Sequence, residues 1–241
     1  MLWRFLYSND GLQRRTLACR KRSEVARCLS RQLNSGFDMR SWIAALLMTL
    51  LPTGAAHAAE GAKAESAQKK AVELEQKARA DGGAGIPEPA KITKTEAQAV
   101  DPDGKKPLDD PITCLARTIY WEAKGEGIAG MEAIANVVMN RLGHEGFPDT
   151  VCEVVRQGYE RGACQFSWWC DGRSDNAQDA KPYEIAKEIA RKALNRQIED
   201  RTGGALYFHQ RAVSPQWSAK YVKTVELGEH IFYRPPGRAA K

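Results

Sequence analysis

A surplus of one charge sign is missing from most of this chain. The formal net charge of +6 arises within residues 1–40, where nine Lys/Arg face three Asp/Glu. The other residues carry 27 of each sign and balance to zero. A nucleic-acid surface needs clustered positive charge, so the part expected to fold has no nucleic-acid partner. Metal-binding patterns are missing too. The six cysteines include no C-x-x-C pair, and the four histidines form no H-E-x-x-H. Neither a metal nor a cofactor is therefore expected. The longest apolar run, Trp42 to Leu51, is too short to span a bilayer comfortably. Residues 59–110 are almost devoid of large apolar side chains, and no internal repeat is visible.

What is there begins with a leader. Arg40, the apolar run, Pro52 and the small-x-small triplet Ala56-His57-Ala58 have the layout of a secretory signal over 39–58, with cleavage after Ala58. Contact with a membrane is expected only through this segment, if it stays uncleaved. Residues 1–38 are a basic extension in front of it, either a long front region or the product of a start placed upstream of Met39. Residues 59–111 read as a disordered or partly helical linker. Ala, Glu, Lys and Gln favour helix between Gly61 and Asp81, but Val72 and Leu74 alone give it no apolar face. The expectation is a solvated tether.

The large apolar and aromatic clusters after the leader lie in 112–234, followed by a tail, 235–241. Leu115, Ile119 and Glu122 fall on one helical stripe, which Gly125 and Gly127 end. The stripe places a carboxyl where apolar side chains belong. Lost hydration there raises its pKa and yields a general acid at neutral pH. Met131, Ile134, Ala135, Val138 and Leu142 mark a second helix, opening at Gly130. Thr150 reads as the N-cap of a short third helix ending near Gln157. Another long helix runs from Pro182 to about Ile198, with Ile185, Ile189 and Ala193 inward. Short strands are expected at 205–209 and 230–234, and 221–227 is ambiguous between strand and helix. The fold class is α+β, mostly helical.

Four cysteines follow the leader: Cys114, Cys152, Cys164 and Cys170. In an exported chain they read as two disulfides, of open connectivity, pinning the 158–175 connection to the helical core. A catalytic cysteine paired with His209 is the rival reading. Within that connection Gln165, Phe166, Ser167, Trp168 and Asp171 combine flat apolar faces with polar groups, which suits a sugar ring. Tyr207, His209 and Trp217 form a second such set.

The segments Ala116-Arg-Thr-Ile-Tyr-Trp-Glu-Ala-Lys-Gly-Glu126, Ala133-Ile-Ala-Asn-Val-Val-Met-Asn-Arg141, Phe147-Pro-Asp-Thr-Val-Cys152, Cys164-Gln-Phe-Ser-Trp168, Ala205-Leu-Tyr-Phe-His209 and Gly228-Glu-His-Ile-Phe-Tyr233 resemble the cell wall hydrolase family typified by the spore cortex-lytic enzyme SleB. The resemblance covers nearly all of 112–234 and neither leader nor linker. It implies a lysozyme-like fold and lytic transglycosylase action on peptidoglycan glycan strands, with Glu122 at the position of the family's catalytic glutamate. Lys124 stands where the motif commonly has Arg. Glu126 is given a supporting role in substrate positioning, beside Gln165, Ser167, Tyr207 and His209 in the cleft. A hydrolytic muramidase or glucosaminidase using Glu126 or Asp171 as base, and a non-catalytic peptidoglycan-binding module, are the alternatives. A monomer in the periplasm or cell envelope is expected.

Overall fold

A computed structural model describes residues 53–81 and 85–237. The expected extension 1–38 and most of the leader lie outside these residues, as does the end of the tail.

Helix α1 (Thr53–Asp81) begins at the leader's end and carries Ala56-His57-Ala58 in its first turns. Its residues Ala64, Ala67, Ala71 and Leu74 are buried, at spacings of three, four and three. The tether expectation for 59–111 is therefore corrected. Small alanines supply the inward stripe, because a methyl-sized side chain lets a helix approach its neighbour closely. Polar contacts fix the same face. Ser66 Oγ and Lys70 Nζ donate to the Glu96 carboxylate at 2.9 Å each, and Gln68 Nε2 donates to Asp110 Oδ2 at 3.2 Å. The buried Glu75 accepts from the Val151 backbone N–H at 3.0 Å.

Between α1 and the core helices the chain is held at two places. After a single 3-10 turn, Asn195 grips Ile92 at both backbone atoms, accepting from its N–H at 2.9 Å and donating to its carbonyl at 2.8 Å. Helix α2 (Lys94–Ala99) opens on a capping box between Thr93 and Glu96. Asp101 then adopts φ +44° and is fully buried. Its carboxylate accepts from the Arg117 guanidinium at 2.6 Å, the Tyr183 hydroxyl at 2.6 Å and the Lys105 and Lys106 N–H groups at 2.8 Å. Burial pushes the Asp101 carboxyl up, but these donors win and hold it below the usual range.

Helix α3 (Pro111–Ala123) starts on Asp110, which accepts from the Ile112 and Thr113 N–H groups at 3.0 Å, with Pro111 at the first helical position. It is buried almost throughout and packs against α4 (Gly127–Arg141), α5 (Val151–Arg156) and α6 (Ala180–Leu194). Thr150 caps α5, as the sequence suggested. Ile185 is 42% exposed, contrary to expectation. Ile189 and Ala193 are buried as expected, and Tyr183, Ala186 and Ala190 complete the inward stripe of α6, with the Tyr183 hydroxyl reaching Asp101.

A three-stranded antiparallel sheet completes the fold: β1 (Tyr207–Gln210), β2 (Val222–Leu227) and β3 (His230–Arg234), in the order β1-β3-β2. Tyr207 pairs with Tyr233, and β2 carries an irregularity between Lys223 and Val225. The α+β, mostly helical class is as expected. Two disulfides form, Cys114–Cys152 and Cys164–Cys170. The first ties α3 to α5. The second closes the 158–175 connection on itself, so neither disulfide pins that connection to the core as the sequence reading had it.

Deleting residues 53–81 removes the burial of Leu74 and uncovers the Val151 N–H. Urea unfolding should show a loss of at least about 2 kcal/mol, the cost of emptying one buried leucine site. An unchanged midpoint would restore the tether reading.

Candidate active site

Glu122 lies on the last turn of α3, where the chain leaves the core. Two neighbours fix that helix end. The Trp121 indole N–H donates to the Asp175 carbonyl at 3.1 Å. Lys124 pairs with Asp179 at 3.0 Å and lies over the Tyr120 and Trp121 rings at 4.7 and 5.0 Å. Gly125 then takes φ +96°, a backbone conformation that side chains with a Cβ resist, and turns the chain into α4.

The Glu122 carboxyl is partly buried and makes no ion pair among the described residues. Burial pushes its pKa up to about 7; Arg141 opposes the rise and Glu126 adds to it. Burial therefore carries the protonated form of this carboxyl toward neutral pH, the condition for a general acid.

Glu126 is committed elsewhere. Its Oε2 accepts from the Glu229 N–H at 3.0 Å and meets His230 Nδ1 at 3.2 Å, joining the start of α4 to the β2–β3 turn. Gly228 in that turn leaves no room for a Cβ beside the same oxygen. His230 is 1% exposed, and the Phe208 ring meets it edge-on at 5.0 Å. Glu126 thus acts on Glu122 through its charge while holding the sheet to the helices.

Arg141, at the end of α4, is 2% exposed. Its Nε donates to the Leu206 carbonyl at 2.8 Å, and one terminal nitrogen has no hydrogen-bond partner. The guanidinium lies 5.2 Å from the Phe147 and Phe166 ring centres and 5.8 Å from that of Tyr207. Burial lowers its pKa to about 10, so it stays cationic at neutral pH. Arg141 forms one wall of a cavity of about 270 Å³ with Gln165, Tyr207, Phe208, Trp217 and Tyr221. Tyr207 is 4.7 Å from Tyr221 and 5.9 Å from Trp217, measured between ring centres.

Of the residues expected to bind substrate, Gln165, Tyr207 and Trp217 come together here. His209 stands at the margin. It meets the Tyr233 hydroxyl at 2.9 Å, stacks on that ring at 5.2 Å and presents its edge to Trp217 at 5.6 Å. Phe166 and Trp168 are corrected to core residues, at 0% and 6% exposure. Phe166 packs on Phe208 and beneath Arg141, which the loop position alone could not reveal. Ser167 and Asp171 are exposed and do not line the cavity. Asp171 accepts from the Arg173 N–H at 2.8 Å, within its own turn. Sequence reasoning missed Arg141 and Tyr221. A lone arginine on the last turn of a helix reads as a cation complementing the helix dipole, so its sequence position gave no other signal. A larger groove of about 580 Å³ runs along α2 and α6, but it has no aromatic wall.

Residues 125–233 match the cell wall hydrolase family. That match begins just after Glu122. The chain is similar to the spore cortex-lytic enzyme of Bacillus subtilis, 34% identical over 147 residues, covering 60% of this chain and 44% of the relative. The enzyme of the same description from Halalkalibacterium halodurans is 33% identical over 127 residues, 52% of this chain and 34% of the relative. The chain thus spans less than half the length of these relatives. A crystal structure of the catalytic domain of the Bacillus cereus SleB protein aligns with a TM-score of 0.43 and 29% identity, covering 55% of this chain and 94% of that one. The catalytic domain of the germination-specific lytic transglycosylase SleB from Bacillus anthracis aligns with the same TM-score and 28% identity, over 55% and 99%.

Two pH measurements test the electrostatics of Glu122. Its folded pKa of about 7 exceeds the ordinary 4.5, so the folded state binds the extra proton. The resulting stabilisation is full below pH ~4.5 and is lost as pH rises through about 7. It amounts to at most about 3 kcal/mol, at 1.36 kcal/mol per pKa unit. Glu122→Gln should flatten this fall in chemical-denaturation curves taken from pH 4 to 8. Glu126→Gln removes the neighbouring negative charge and should move the alkaline limb of any Glu122-dependent rate to lower pH. A limb that stays in place would show that Glu126 does not act on Glu122.

Proposed function

We propose that this chain cleaves the β-1,4 bond between N-acetylmuramic acid and N-acetylglucosamine in peptidoglycan, by lytic transglycosylation. The single observation that carries the reading is one partly buried carboxyl, Glu122, at the end of α3, whose acidic neighbour Glu126 is already engaged by Glu229 and His230. A glycoside hydrolase of the common type needs two carboxyl groups, one as acid and one as base or nucleophile. A single one suffices when the nucleophile belongs to the substrate.

Glu122 protonates the oxygen leaving C1 of the muramyl unit, and the C1–O bond breaks to release the 4-hydroxyl of the next sugar. The carboxylate then takes the proton of the muramyl 6-hydroxyl, whose oxygen bonds to C1 and closes a 1,6-anhydro ring. Glu122 ends protonated, ready for another turnover. Gln165, Tyr207, Trp217 and Tyr221 hold the sugar at the polar-aromatic wall. Similarity to relatives described as spore cortex-lytic enzymes supports the substrate class. The two disulfides support export to an oxidising compartment, the periplasm or cell envelope. Hydrolysis by a second carboxylate would require Glu126 to leave His230.

Mass spectrometry of soluble fragments from digested sacculi tests this proposal. The expected products are one water lighter than hydrolytic ones. Glu122→Gln should release none, a loss of at least about a thousandfold, while unfolding cooperatively. Fragments carrying the added water would assign the chain to hydrolysis. Normal release by Glu122→Gln would remove this residue from the chemistry.

A further inference from the structure

A buried cation without an anion is costly, and proteins seldom keep one for stability alone. Arg141 is such a cation. No carboxylate lies within ion-pairing distance of it among the described residues. One of its terminal nitrogens lacks any partner, although Nε is fixed on the Leu206 carbonyl. Three aromatic rings surround the guanidinium and hold its plane. The remaining wall of the cavity offers an amide, Gln165, and two phenols, Tyr207 and Tyr221, groups able to hydrogen-bond an oxyanion. Glu122 forms no ion pair with it among the described residues.

We infer that the Arg141 cavity is a carboxylate subsite, in which the Arg141 guanidinium, Gln165 and Tyr221 receive a carboxylate of the glycan's muramyl unit. This inference rests on the glycosidase reading for the identity of the glycan. Two sources of the group exist on that polymer: the peptide stem, and the lactyl ether once the stem has been removed. The subsite gives Arg141 a role in selecting the bond to be cut, because a muramyl unit anchored by its carboxylate places one side of the sugar toward the aromatic wall. Arg141 is a positioning residue on this account, and its loss acts on binding before it acts on turnover.

The test uses Glu122→Gln protein, so that binding is read without cleavage, and cosedimentation with four sacculus preparations. Two are untreated or stripped of stems with an amidase. The other two are the same materials with their carboxyl groups converted to amides by carbodiimide and ammonia. A charge-assisted hydrogen bond to the guanidinium predicts about tenfold or more weaker binding after amidation. A contrast on the untreated pair assigns the stem carboxylate; a contrast on the stripped pair assigns the lactyl carboxylate. Equal binding within both pairs overturns the inference, and this arm needs no change at Arg141. In the Glu122→Gln background, Arg141→Met should erase the contrast while Arg141→Lys retains part of it. A contrast that survives Arg141→Met also overturns the inference. Should the unmodified protein release no fragments from any preparation, the glycosidase reading fails, and the binding contrast still decides the carboxylate subsite.

Discussion

The loss of hydration at one carboxyl governs this molecule. Glu122 sits where a buried helix meets the surface, so its charged form is penalised, and two fixed charges trim the result. Arg141 favours the anion and Glu126 opposes it. Each of those charges is itself held in place by the fold. Arg141 is anchored to Leu206 just before β1, and Glu126 to Glu229 and His230 at the β2–β3 turn. The small sheet is therefore the mount that keeps both charges at fixed positions relative to the end of α3. A sheet of three short strands would have little stability alone, and these polar ties to the helices supply part of what it lacks.

The middle of α3 carries the opposite arrangement. Asp101, Arg117 and Tyr183 are buried, but every charge there meets a partner. Breaking such a set leaves a stranded charge, so its role is to hold one geometry. It fixes the 101–106 turn against α3 and α6, while the Tyr120–Asp179 and Trp121–Asp175 contacts fix the last turns of α3. The helix that carries Glu122 is thus clamped along its length before the chain reaches Gly125.

Periodicity and punctuation made the helices and strands of 112–234 legible. The stripe of Leu115, Ile119 and Glu122 and the two glycines after it marked the acid's position and its environment. Thr150 marked α5 by its capping chemistry. Several features escaped. The alanine stripe of α1 carries almost no hydrophobic signal, because a methyl group buries little area and alanine is common on solvated helices. The depth of Phe166 and Trp168 depended on what packs above them, which residues far away in sequence decide. Arg141 was indistinguishable from an ordinary helix-terminal cation until Leu206, Tyr207 and Phe147 were seen around it.

The first well-buried position of α1 is Ala64, whereas Ala58 and the residues around it are exposed. A peptidase trimming the chain after Ala58 would meet exposed residues on both sides of the cut. The alanine seam beyond it, with its anchors on Glu96 and Val151, would pass whole into the shortened product.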